Sequence, residues 1–116
     1  MAKGEKRVVQ SIERAFIAYR ERNVKYVTFG ELKDWINDNT KDGISSPRLA
    51  NFLRRRPQFE RVLTMRKTGT NEVQSFWSID KSEAVLGDRL EAAEAKREEC
   101  VIPKGWVEQV DEAIGG

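Results

Sequence analysis

Two prolines bracket the stretch that most limits how this chain can fold, SPRLANFLRRRP, from Ser46 to Pro57. Proline is accepted in the first turn of a helix, where its missing N–H would have no intrahelical partner. It also pushes the residue before it out of the α region. A helix is therefore expected with Ser46 as N-cap and Pro47 as its first residue, running to Arg56 and stopping before Pro57. On a helical wheel, Leu49, Phe52 and Leu53 share one arc. Arg48, Asn51 and Arg55 share the opposite arc, with Pro47 and Arg54 on its flank. Arg56 falls between Leu49 and Phe52, on the apolar side, so the three adjacent arginines are not one feature. Arg56 is expected to cap a carbonyl or serve a structural role.

Around this helix the periodicity changes in a readable order. Val9, Ile12, Phe16 and Tyr19, with Val8 and Ala15, predict an amphipathic helix over Lys6 to about Arg22, with Arg7, Arg14, Arg20 and Glu21 mostly on its polar side. A short strand is expected around Lys25–Val27. Thr28 and Glu31 then form a capping box that starts a helix from Phe29 to about Asp38, with Leu32, Trp35 and Ile36 inward. NTKDG stops it, with Gly43 available for positive φ. Two strands, about Glu60–Arg66 and Asn71–Ile79, flank the turn RKTGTN and predict a hairpin. Val73, Trp77 and Ile79 share one strand face. Phe76 lies on the other, either under the C-terminal helices or bare. Farther on, Ser82 is expected to cap a long helix in EAVLGDRLEAAEAKREE, with Val85, Leu86, Leu90 and Ala93 as its apolar stripe. WVEQVDEAI is expected to form a last helix on Trp106, Val107, Val110 and Ile114.

Charge is unevenly spread. Residues 1–80 hold 16 Lys and Arg against 10 Asp and Glu, a net +6, whereas residues 81–116 net −4. From Ile44 to Asn71 seven basic residues face only Glu60, a local cationic segment of the kind that binds polyanions. The chain has no histidine and one cysteine, Cys100. That removes His-based acid–base and nucleophile systems and most zinc sites. No phosphate-cradling glycine motif appears. The expectation is a non-enzymatic protein with no cofactor and no metal. No stretch is long enough to cross a bilayer, and MAKGEKRVVQ has no apolar run behind its charges. With a lone cysteine, a cytoplasmic location is expected, nucleoid-associated in a prokaryote.

The order helix, short strand, helix, helix, hairpin is carried by VTFGELKDWI, ISSPRLANFL and RVLTMRKTGTNEVQSFWSI. Over about residues 6–80 it resembles the winged helix-turn-helix DNA-binding superfamily. The resemblance implies an α+β, mostly α fold of three helices plus a hairpin wing, here with a C-terminal helical extension over 81–116. One departure is Arg56, at a position that is apolar in many members, with Phe59 expected to supply the apolar contact. The implied function is binding of double-stranded DNA by a small transcriptional regulator. Recognition helix 46–56 would enter the major groove with Pro47, Arg48 and Asn51 nearest the bases, Ser46 among the DNA-binding residues at its start, and Arg54 and Arg55 on phosphates. Arg66, Lys67, Thr68 and Asn71 at the wing tip would reach an adjacent groove or backbone.

Two plainer readings stand beside this one. Arginines at a helix C-terminus also complement the helix dipole, and winged helices also serve as protein-interaction adaptors without DNA. RNA is a weaker partner, since no aromatic strand motif or GxxG loop is present. Self-association through 82–114, giving a homodimer that spans two half-sites, is a further expectation. No membrane partner and no small-molecule substrate are inferred.

Overall fold

The computed structural model of the chain describes residues 3–93 and 100–109. Among them are four helices and one four-stranded antiparallel sheet, an α+β arrangement. In chain order these are α1 (Lys3–Glu21), β1 (Val27–Thr28), α2 (Phe29–Asn39), α3 (Ser46–Arg55), β2 (Phe59–Lys67), β3 (Val73–Ile79), α4 (Gly87–Ala92) and β4 (Trp106–Glu108). The strands lie in the order β1-β3-β2-β4. No helix among the described residues is long and apolar enough to cross a membrane.

The local signals act where they were expected. Thr28 Oγ1 accepts the Glu31 N–H at 3.1 Å, and Glu31 Oε1 accepts the Thr28 N–H at 3.0 Å, so the capping box that opens α2 is complete. The α2–α3 turn is held by side chains from the end of α2 and its C-cap, Thr40. Thr40 Oγ1 donates to the Ile36 carbonyl at 2.7 Å, and Asn37 Oδ1 accepts the Ile44 N–H at 2.7 Å. Gly43 sits at φ 64°. A Cβ there would lie 2.5 Å from Asn37 Oδ1, so the turn needs glycine for space as well as for φ.

The prolines bracket α3 with one shift. Ser45, not Ser46, is the N-cap, and it makes no side-chain cap bond. Ser46 is the first helical residue and Pro47 the second. Both positions lack an intrahelical acceptor for their N–H, so Pro47 is tolerated at either. Arg56 has left the helix at φ −97°, ψ 131°, as the residue before Pro57 must.

The main core joins Val9, Ile12, Phe16, Leu32, Leu49, Leu53, Trp77 and Ile79, among others, between the helices and one face of the sheet. Phe59 stacks on Phe16, centroids 5.9 Å apart at 17°, and supplies the apolar contact expected of it. The polar side of α1 is less polar than its periodicity implies. Arg20 is buried, with Nη2 donating to the Ile79 carbonyl at 3.0 Å. Glu13 is wholly buried. Its carboxylate accepts from Gln58 Nε2 (3.0 Å), the Val85 N–H (2.9 Å) and the Leu86 N–H (2.7 Å).

The C-terminal part departs most from expectation. A helix beginning after Ser82 does not form. Ser82 instead donates its N–H and hydroxyl to Asp80 Oδ1 at 2.9 and 2.7 Å in a tight turn. Those bonds hold the exposed Asp80 carboxyl below its usual range. The N–H groups of Val85 and Leu86 are taken by Glu13, so the helix starts only at Gly87. Leu90 of α4 is fully buried in the main core. Residues 94–99 lie outside the described residues. Trp106–Glu108 is a strand rather than a helix: it pairs antiparallel with Met65–Lys67 of β2. A turn at Gly105 (φ 93°) and the alternation of Trp-Val-Glu suit it to that open edge. The remainder of the expected last helix, 110–114, lies outside the described residues.

Glu13 is therefore the polar junction of α1, the start of β2 and the entry to α4. Replacing it with alanine leaves three buried or half-buried donors without an acceptor. Glu13→Ala is expected to cost about 3 kcal/mol or more of unfolding free energy, read as a lowered urea midpoint. An unchanged midpoint would contradict the role given to it.

Candidate nucleic-acid interface

β2 is not a regular strand. Arg61 pairs with Trp77 and Leu63 with Phe76, which leaves Val62 as an extra residue in a bulge. Arg61 and Arg66 are five apart and would otherwise point to opposite faces. The bulge shifts the phase, so that Arg61, Thr64 and Arg66 sit opposite Trp77, Ser75 and Val73, on one face of the hairpin. Leu63 and Met65 then turn to the other face.

The Arg61 face meets α3. Arg54, Ala50 and Leu53 from α3, Phe29 from α2, and Phe59, Arg61, Ser75 and Trp77 from the hairpin line a groove of about 580 Å³. Two exposed arginines, one from each element, flank it. Among the described residues, Arg54 Nε makes only a long 3.4 Å bond to its own helix carbonyl at Ala50. On the groove's floor Trp77 is buried, and its indole N–H meets no acceptor among the described residues. Unpartnered buried donors are few in folded proteins.

The other site residues expected from sequence fall into separate settings. Arg48 and Pro47 are exposed and Ser46 is half-buried. The Arg48 guanidinium lies over the Phe52 ring, 5.8 Å from its centroid. Asn51 and Arg55 line a shallow hollow shared with Glu5, Phe52 and Arg56. An anion approaching Asn51 and Arg55 thus meets the Glu5–Arg56 ion pair, whereas one approaching Arg54 meets Arg61. At the hairpin tip, Arg66, Lys67, Thr68 and Asn71 are all exposed. Lys67 is 4.0 Å from Glu72, a surface pair of little energetic weight. The Thr68 N–H is tied to the Gly105 carbonyl at 2.8 Å, and Gly69 turns the tip at φ 83°.

Arg56 has the structural place expected of it, by contacts other than a carbonyl cap. Its guanidinium lies 3.5 Å from Glu5 and 5.6 Å from the Phe52 centroid, clamping the start of α1 to the end of α3. Trp77 is in the core, as its strand face implies, whereas the places of Arg61 and Glu13 are not legible in the sequence. Arg61 could have been found only by recognising a bulge in ERVLTM, and no composition signal marks one.

No group of His, Cys, Asp and Glu that could hold a metal ion occurs among the described residues. Cys100 is half-buried, and desolvation, with the Glu108 carboxylate adding to it, pushes its thiol above the ordinary range. A raised thiol pKa lowers the thiolate fraction and with it the reactivity. Tyr19 is likewise raised, chiefly by burial and then by Glu31. Comparison with known proteins gives no match: no family model, no curated protein and no solved structure is similar to this chain.

The two ends of the arginine run are expected to separate by experiment. Arg56→Ala should lower stability by about 1 kcal/mol, through a half-exposed ion pair and a ring contact. Arg55→Ala should stay within about 0.5 kcal/mol of the parent. Thermal melts of the two variants read this, and equal losses would contradict the division.

Proposed function

We propose that the chain is a winged helix-turn-helix protein that binds double-stranded DNA, without enzymatic activity, in the manner of a small transcriptional regulator. The observation that carries this reading is the groove in which Arg54 of α3 and Arg61 of the hairpin flank one opening, with Arg66 farther along the same strand face. A helix and a hairpin that present cations to one side can engage one duplex at two places. Arg54, Arg61 and Arg66 are positioned for phosphates, and Arg48 and Asn51, nearer the helix start, for base edges. Phosphate contacts set affinity and its salt dependence, and base contacts set sequence preference. Arg48 would have to give up its place over Phe52 to reach a base, at a cost of about 0.5–1 kcal/mol.

A second copy is proposed to pair through 82–114, so that two recognition helices meet two half-sites. Leu90 is used within its own core, but Val85 and Val107 on this part of the chain remain exposed. Sedimentation of the full chain at micromolar concentration should give a dimer, and Val107→Glu should weaken it. A monomer at all concentrations would reject the pairing.

The test of DNA binding is fluorescence anisotropy with a random duplex across a salt series. The logarithm of affinity should fall linearly with the logarithm of salt, and each phosphate-contacting cation removed should reduce the slope by about 0.9. Arg54→Ala and Arg61→Ala should each do so. Arg48→Ala should cost about 1–3 kcal/mol on a selected sequence and little on a random one. Absence of binding at low salt would overturn the proposal and favour the protein-interaction reading. Binding that survives Arg54→Ala, Arg61→Ala and Arg66→Ala together would also count against it.

A further inference from the structure

The sheet face turned away from the main core carries a second, smaller apolar layer. Met65 and Phe76 are 2% and 5% exposed, yet neither belongs to the main core. They face a cavity of about 440 Å³, whose remaining walls include Tyr26, Val101 and Trp106. Pairing of β4 with β2, and the Thr68–Gly105 bond, hold the segment bearing Trp106 over this face. The size and the aromatic lining are those of a small-molecule site.

The polar groups of the cavity narrow what it would take. Lys25 and Glu31 both line it, so a ligand charge of either sign meets one like and one opposite charge, and the formal charges of the wall cancel and offset none of its desolvation. Gln74 also lines it. Its Oε1 accepts the Gly30 N–H at 3.2 Å, which fixes the amide orientation, while its Nε2 has no acceptor among the described residues. That nitrogen is the donor end of the amide, and it lies close to Gly30 at the cavity wall. Three aromatic rings and a methionine sulfur favour a flat π-system.

We propose that this cavity binds a small, planar, uncharged aromatic compound carrying a hydrogen-bond acceptor on its edge, with Gln74 Nε2 donating to that acceptor. The site does not depend on the DNA-binding reading, since its walls are the opposite face of the hairpin.

The probe is 2-quinolone, titrated into the ¹⁵N-labelled full chain and followed by amide and indole shifts. Saturable shifts at the Gln74 side-chain amide and the Trp106 indole are expected, with millimolar or tighter affinity for a ligand of this size. 1-Naphthoate and 1-naphthylmethylammonium should bind at least about tenfold more weakly, because each must desolvate a charge against a wall whose formal charges cancel. Gln74→Leu should weaken 2-quinolone by about tenfold through loss of the donor. Val101 is largely exposed, so Val101→Trp should fold normally and block the cavity, which keeps the test open if the Gln74 variant does not fold. Absence of saturable shifts would overturn the proposal. So would equal binding of either charged compound, or unaltered binding by Val101→Trp.

Discussion

The extra residue at Val62 is the constraint on which the proposed interface depends. A regular β2 would place Arg61 and Arg66 on opposite faces of the hairpin. With the bulge, the strand serves two layers in succession. Phe59 and Arg61 face α3 and the main core, and after the bulge Leu63 and Met65 face away while Thr64 and Arg66 take the α3 side. The same shift that gathers the arginines also sends Met65 to the second apolar layer beside Phe76. One backbone irregularity thus creates both the cationic groove and the floor of the aromatic cavity.

The C-terminal part is bound to the rest by backbone bonds. Glu13 accepts the N–H groups at the entry to α4, and Leu90 follows them into the core. β4 then closes the edge of β2 along Met65–Lys67, which would otherwise offer unpaired backbone groups. Among the described acidic residues of the C-terminal part, Glu108 is carried by the strand that pairs with the basic hairpin. This placement leaves the Arg61 and Arg66 side chains on the face they share with α3.

Local chemistry was legible in the sequence, and long-range chemistry was not. The Thr28–Glu31 capping box, Gly43 and the Pro57 stop act within a few residues, so α2, α3 and the turn between them could be placed nearly to the residue. The hairpin followed from its turn and its alternation. The N-cap of α3 was off by one because proline is tolerated throughout the first turn. Burial of Glu13 depends on partners 45, 72 and 73 residues away, which no helical wheel contains. Trp106–Glu108 has an apolar pattern too short to separate helix from strand, and the free edge of β2 decided it. The structural place of Arg56 is legible because the wheel puts it on the apolar side. Arg61 was missed because a bulge has no compositional mark. The cavity was illegible for the same reason as β4: its walls come from segments distant in sequence.

The central claim is that α3 and one hairpin face together form the DNA-binding surface. Amide shift mapping of the ¹⁵N-labelled chain with a short duplex tests it most directly. Perturbations are predicted to cluster at 47–55 of α3 and at 61–71 of the hairpin, leaving α4 and residues 83–92 undisturbed. Shifts centred on α4 or spread evenly over the chain, or no shifts at low salt, would contradict it.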